Sequence, residues 1–473
     1  MSAMRPASLR LPSSVPPVHW WVFLLSLLAV GVYLNWIAAL AVLSFALIMR
    51  ARPLDFLTSY MIVVVFGSFV NYGSHTLTAQ LTLLTGLLAF MMYCYLLARR
   101  WDALVIPKTP ATIPLLLFSG LTWINFVRGM AIGNSPRYGG LELLANLAML
   151  SCLLVASRRM SAREQRVAVL WMTAMATAHF ILGAYVFSII HTRTVGVYFA
   201  PVPGVVAMML FNFALRAETR TKMALWVLAM GPCLAQQFLS FTRGFWLALI
   251  GGVLFSLMVY VGRSAGAKAR AKRAFVALLM IAGIAALGIV VLGGTLGIGK
   301  VFELAGSRFA SSTGTKFTNE SSSNVVRLVE YFHVLDLIAE QPIFGHGLGY
   351  YFVVREPIGF TLIEQWFTHE NYLLVTLKQG LIGLALWMWL LIGFIRVGLN
   401  GRRLKDIFEQ SWCTGMAALV VYCMIYSLVH FPLAETNTTF TFALCVGVAM
   451  RLTATDVYAL RWKGRRTLTT DAE

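Results

Sequence analysis

Thr368-His369-Glu370-Asn371 leads into Tyr372-Leu373-Leu374-Val375 and then into Leu381-Ile382-Gly383-Leu384-Ala385-Leu386-Trp387-Met388-Trp389-Leu390-Leu391-Ile392, a stretch that stays largely apolar to Ile395. Its length matches the roughly 17–25 residues that cross a bilayer, so it reads as a membrane helix entered from a polar loop. Comparable runs recur from Trp20 to Arg451. They explain a composition that no water-soluble core requires, with 59% apolar, 13% aromatic and only 12% charged residues among 473. The chain is expected to be an all-α polytopic integral membrane protein.

Charge orients the helices. Basic residues gather at Arg5 and Arg10, Arg50 and Arg52, Arg99 to Lys108, Arg158 to Arg166, Arg216 to Lys222, Arg263 to Arg273, Arg396 to Lys405 and Arg461 to Arg466. All of them face the inner side if Trp20 to Met49 folds as a hairpin of two short spans broken at Asn35. The expected architecture is then about 12–14 membrane helices with both termini inside. It comprises membrane helices over 1–299 with the first hairpin at 20–49, one large, partly helical outer loop over 300–368, C-terminal membrane helices over 369–452 and an inner tail over 453–473. The net charge of +19 is mostly this sidedness signal. Dispersed over many loops, it does not form a nucleic-acid face. All six cysteines fall in expected spans, which suits packing rather than disulfides.

Against this bias, nine cationic residues fall outside: Arg128, Arg137, Arg193, Arg243, Lys300, Arg308, Lys316, Arg327 and Arg355. An anionic ligand at the outer surface would account for them, because guanidinium is always charged and its forked donors match phosphate oxygens. Arg243 follows Ser240-Phe241-Thr242, where one span ends and the next begins. Ser or Thr there can cap the new helix, whose free amides and dipole attract an anion. Snorkelling to lipid headgroups is the plainer alternative.

Within the outer loop, Ser321 to Glu340 has helical periodicity, with apolar residues at Val325, Leu328, Val329, Phe332 and Leu335. Ser322, Ser323 or Asn324 is a candidate cap and Pro342 a stop. Arg327 lies on the polar face, within reach of Glu330 or Tyr331 or of a substrate. The turn Pro342-Ile343-Phe344-Gly345-His346-Gly347-Leu348-Gly349 permits close backbone approach. His369, at the mouth of a span, is suited to accept a proton from a hydroxyl near neutral pH, with His346 as its rival and a capping role as the simpler reading. No paired His or Asp/Glu cluster has metal-ligand spacing outside the membrane, so no metal or cofactor is expected. Mid-span charge is nearly confined to Glu142, which disfavours a transporter for an anionic lipid.

Leu239-Ser240-Phe241-Thr242-Arg243-Gly244, then Arg327 and the Pro342–Gly349 turn, then His369 ahead of Gly380-Leu381-Ile382-Gly383 together resemble the O-antigen ligase and polymerase superfamily of bacterial envelope polysaccharide assembly. The resemblance runs from about Met223 to Ile395. It implies a metal-independent, inverting transfer of a glycan from undecaprenyl pyrophosphate to lipid A core or another glycan acceptor, at the periplasmic face of the inner membrane. It also implies roles for residues: His369 as the base, Arg243 and Arg327 on the pyrophosphate, Arg308 as a further member of that cluster, and Arg128 and Arg193 as reserves. The chain departs from the family at two points. Glu370 stands where ligases commonly have asparagine, and Gln379 replaces an acidic residue before the Gly-x-x-Gly turn. Glu370 is a candidate to orient His369, although neighbouring side chains on a helix point apart. A flippase for an anionic glycolipid and a non-catalytic membrane partner of a polysaccharide machine are the competing readings.

Overall fold

The computed structural model describes residues 60–61, 105–190, 201–240, 242–262, 267–296, 319–355, 362–430, 436–455 and 457–459. The expected hairpin 20–49, Arg193, Arg308 and the tail beyond 459 lie outside them. In chain order the elements are β1 (Val105–Pro107), α1 (Thr112–Ala131), α2 (Pro136–Ala156), α3 (Ala162–Ile190), α4 (Pro201–Arg216), α5 (Arg220–Leu239), α6 (Arg243–Val261), α7 (Ala267–Leu296), α8 (Asn319–Glu340), β2 (Phe352–Arg355), β3 (Leu362–Gln365), α9 (Asn371–Asn400), a 3₁₀ turn (Gly401–Arg403), α10 (Ile407–Tyr426), α11 (Thr436–Thr453) and β4 (Val457–Ala459). The only strands among the described residues form two antiparallel pairs, β1 with β4 and β2 with β3. Five helices, α1, α2, α3, α6 and α9, contain stretches long and apolar enough to cross a membrane. The protein is an all-α polytopic membrane protein.

Helix α4 is the centre of the bundle. From Pro201 to Leu215 every residue is buried, the behaviour of a helix that is apolar on all sides. It packs on α5, α10, α6, α3 and α11. Its one amide-bearing side chain, Asn212, donates to Met208 O at 3.0 Å and Ser256 Oγ at 2.9 Å, so burial leaves no donor stranded there. Lipid contributes no hydrophobic drive between helices, so close packing has to come from small residues. Gly252 against Met208 and Gly447 against Cys152 and Val155 are such contacts. The five described cysteines are free and buried in this core.

Helix α9 is two helices. Gly380 has φ 68° and ψ −171°, outside helical geometry. The carbonyls of Leu377 and Lys378, released by the break, accept from His346 N at 2.8 Å and Gly347 N at 2.9 Å. In return Leu381 N donates to Pro342 O at 2.8 Å. The glycine turn thus supplies the hydrogen bonds that an interrupted helix loses, the condition for irregular backbone inside a membrane protein. Gly345 lets it approach, since a Cβ there would lie 2.5 Å from the Lys378 carbonyl carbon.

The break also redirects the chain. Gly398 packs against Cys413, and the Tyr372 hydroxyl donates to Met424 O at 2.8 Å. Residues 413 to 424 cover about 17 Å of α10, whereas residues 372 to 398 would cover about 39 Å of a straight α9. Both contacts form only if α9 bends sharply at Gly380. Residues 381–400 then span roughly 30 Å, one hydrocarbon thickness. Residues 371–379 run from the end of α10 towards α1 and α2, where Gln379 Oε1 accepts from Thr122 at 3.3 Å and Lys378 pairs with Glu142 at 2.8 Å.

The expected cap at Ser322, Ser323 or Asn324 is corrected, because α8 begins earlier, at Asn319, and runs through those residues. Glu142, read as a nearly isolated charge, is neutralised by Lys378, and its Oε2 also accepts from Gly349 N at 2.8 Å. A Cβ at position 380 would lie 2.0 Å from Ile343 O, in a backbone region L-residues avoid. Gly380→Ala should therefore cost on the order of 3 kcal/mol and lower the unfolding temperature in detergent. Gly283→Ala, with nothing within 4 Å, should not, and equal melting temperatures for both variants would contradict the break described.

Candidate active site

The bend in α9 carries its first turn to the ends of α6 and α10. Glu370 is the N-cap, with φ −123° and ψ 118°, and its carboxylate accepts from Tyr372 N at 3.3 Å and Leu373 N at 2.6 Å. Burial raises its pKa, an effect those two amide donors oppose. Asn371 N donates to Ser427 O at 2.9 Å, which fixes the start of α9 on the end of α10.

His369 stands just before this cap and is held by a residue of α8. Its Nδ1 lies 2.7 Å from Glu330 Oε2, and its backbone N–H donates to Glu330 Oε1 at 2.9 Å. Glu330 is fully buried, while the imidazole keeps 29% of its surface open. A carboxylate on Nδ1 selects the tautomer with its proton there and leaves Nε2 as an acceptor. Nε2 makes no hydrogen bond among the described residues. Phe367 packs edge-on to the ring, with centroids 5.8 Å apart.

Two arginines belong to the same neighbourhood. Arg327, one turn before Glu330, has its Nε enclosed and without a hydrogen-bond partner, and its charge acts on both Tyr331 and His430. Arg243 is the first residue of α6, half-buried, behind the N-cap Thr242. Thr242 makes no side-chain cap, because its hydroxyl donates instead to Ser240 O at 3.0 Å, while Phe245 N donates to the Thr242 carbonyl at 3.1 Å. The next residue, Gly244, fits against Val429. Phe245 stacks on Tyr426 at 4.2 Å, and Tyr426 stacks on His430 at 5.1 Å. This chain of contacts connects the start of α6 to the turn after α10 and so to His369.

The structure places other candidates elsewhere. The Arg128 guanidinium reaches Asn125 Oδ1, Phe344 O, Gln341 Oε1 and Gly345 O at 2.6 to 3.2 Å, clamping the glycine turn to α1. His346 is buried, bonded to Leu337 O at 2.8 Å and stacked on Tyr350 at 4.3 Å. Glu370 serves the α9 amides, and Glu330 holds His369. A cavity of about 80 Å³ beside the Glu142–Lys378 pair is lined by Asn146, Asn371, Gln379 and Trp387, among others. It is far below the roughly 300–1,000 Å³ of ligand pockets. Among the described residues no three His, Cys, Asp or Glu side chains gather as a metal site.

Sequence reading missed two residues. Glu330 was visible only as a partner for Arg327, since nothing in the linear order joins it to a histidine 39 positions away. His430 had a signal, as it follows directly on the apolar run of α10 at the end where His369 enters.

Residues 228–388 match the O-antigen ligase family model, a stretch that contains Arg243, Arg327, Glu330, His369 and the break at Gly380. The match covers about a third of the chain and supports membership of the O-antigen ligase superfamily. No curated protein matches it. Membership implies a glycan-transferring membrane enzyme of the ligase or polymerase class. His430 lies outside the matched residues yet adjoins the site.

Burial, reinforced by the nearby His369 and Arg327, brings the pKa of His430 from 6.5 down to about 3. Below the ordinary value the unfolded chain takes up a proton that the folded site refuses, so stability falls as pH drops from about 6.5 towards 3. His430→Gln should flatten part of that decline in melting temperature. An unchanged acid profile would show that His430 protonates freely in the folded protein.

Proposed function

We propose that this enzyme transfers a glycan from undecaprenyl pyrophosphate to a hydroxyl of lipid A core, acting without a metal and with inversion at the anomeric carbon. The active site faces the periplasm from the bacterial inner membrane, with both termini cytoplasmic, an orientation supported by the placement of basic residues. The observation that carries the reading is the buried Glu330 holding His369 with Nε2 open, in the same neighbourhood as Arg327 and Arg243.

In this reading the acceptor hydroxyl gives its proton to His369 Nε2 as its oxygen attacks the anomeric carbon opposite the pyrophosphate. The new glycosidic bond forms as the bond from carbon to phosphate oxygen breaks. Undecaprenyl pyrophosphate leaves with the electron pair, and Arg327, Arg243 and the N-terminal dipole of α6 offset its growing charge. Glu330 stabilises the imidazolium that results. Arg308 is a further candidate for the cluster. Arg128 is a structural clamp in this scheme and Arg193 a reserve. The flippase reading has less support, because Glu142 and Lys378, paired within the described bundle, neutralise each other.

His369→Ala should abolish transfer while donor binding persists, and turnover at the wild-type rate would remove it from the mechanism. Glu330→Gln should lower kcat by about ten- to a hundredfold with little change in donor KM. Arg243→Lys and Arg327→Lys should restore only part of the donor use that each alanine variant loses, because lysine cannot bind bidentately.

The deciding assay incubates the purified protein with an undecaprenyl-pyrophosphate-linked repeat unit, with and without lipid A core. Consumption only in the presence of lipid A core supports the ligase. A ladder from donor alone makes the enzyme a polymerase with the same donor chemistry, and no product in either case rejects the transferase reading.

A further inference from the structure

Helix α8 carries apolar residues on two opposite sides, one buried and one exposed. The side that faces the bundle carries Glu330, Val334 and Leu337, all buried, with Arg327 and Tyr331 beside them. The opposite side exposes Leu328 at 54%, Phe332 at 62% and Leu335 at 47%, and the turn that follows adds Ile343 at 55% and Phe344 at 57%. In water this arrangement is costly, because a surface helix normally hides such a stripe.

The surroundings supply a reason for the exposure. Leu381 N and Ile382 N donate to the carbonyls of Pro342 and Ile343, so Ile343 and Phe344 sit beside Leu381 and Ile382, which open the membrane-crossing half of α9 and are themselves exposed. On the other flank, Arg128 binds Phe344 O and ties the patch to α1, whose Ile124 and Val127 are exposed at 66% and 64%. The turn that ends α8 therefore joins its exposed stripe to the apolar surface of α1 and α9. At 100° per residue, Leu335, Leu328 and Phe332 share an arc of roughly 60°, bordered on one side by Tyr331 and Arg327 and on the other by Asp336. The apolar strip thus begins next to the arginine that enters the site.

We infer that this face of α8, with Ile343 and Phe344, seats the hydrocarbon chain of the lipid-linked donor, an inference that rests on the transferase reading above. A pyrophosphate held by Arg327 has its prenyl ester within a residue or two of Leu328. The chain then follows Leu328, Phe332 and Leu335 down to Ile343 and Phe344 and enters the membrane between α1 and the apolar half of α9. One short helix reads both ends of the amphiphile, the charged head on its inner side and the tail on its outer side.

The test compares donors that carry the same glycan pyrophosphate on an undecaprenyl or a farnesyl chain. Phe332→Ser combined with Leu335→Ser should raise KM for the undecaprenyl donor about tenfold and leave the farnesyl donor unchanged. A wild-type preference for the long chain in that variant overturns the inference. A second measurement does not depend on turnover: a fluorophore on Phe332→Cys in proteoliposomes should be quenched more by undecaprenyl pyrophosphate bearing a nitroxide than by a nitroxide phospholipid at the same mole fraction. Equal quenching assigns the face to bulk lipid and also overturns the inference. If the wild type uses neither donor, the transferase reading fails, and the quenching still reports whether the chain lies on α8.

Discussion

A backbone amide in an apolar setting has to find a partner, and the glycine turn from Gly345 to Gly349 meets that demand for a broken helix. Leu377 and Lys378 carry carbonyls that the next turn of α9 no longer takes, and His346 and Gly347 bring amides that have no strand or helix of their own. Each defect completes the other. Both sides bend where glycine permits a positive φ, at Gly380 on the helix and at Gly345, Gly347 and Gly349 on the turn. The position of His369 follows from this exchange, since an unbroken α9 would carry its first turn about 20 Å beyond the ends of α6 and α10.

The same docking orients α8. Its inner side packs on Phe352, Val354 and Leu377 in a small core of its own, separate from the main core around α4. With α8 seated there, Glu330 reaches His369 and Arg327 lies one turn away. A carboxylate buried without a partner would be strongly disfavoured, and two hydrogen bonds to one residue satisfy it. The Glu330–His369 pair and the seating of α8 are therefore one arrangement, in which Val334 and Leu337 pack into the small core and carry Glu330 inwards to its partner.

Hydropathy made the fold class legible, because a bilayer imposes a long apolar run on any helix that crosses it. Charge placement and the mouth of a span singled out Arg243, Arg327 and His369 in the sequence, but nothing there showed their neighbourhood. It arises from contacts between α6, α8, α9 and α10, and no linear spacing encodes those. The break in α9 was hidden because apolar residues continue through Gly380, and the motif Gly380-Leu381-Ile382-Gly383 gains its physical meaning only when Ile343 O is seen where a Cβ would stand. The start of α8 was misplaced because Asn319 to Asn324 offers several capping residues in a row, while the apolar pattern begins only at Val325. Glu370 looked like the orienting acid through adjacency, and its carboxylate turned instead to the free amides of the helix it begins.

The ion pair between Glu142 and Lys378 also bears on how the protein is made. A lone lysine within a helix leaving the translocon meets a penalty of about 2.5–3.5 kcal/mol at the helix centre. Lys378 belongs to the ninth described helix and its counter-ion to the second. Synthesis from the N-terminus therefore puts the acid in the membrane more than two hundred residues before the base emerges. The growing chain holds a docking point ready for α9, and the glycine turn, made some thirty residues earlier, is already there to receive the break.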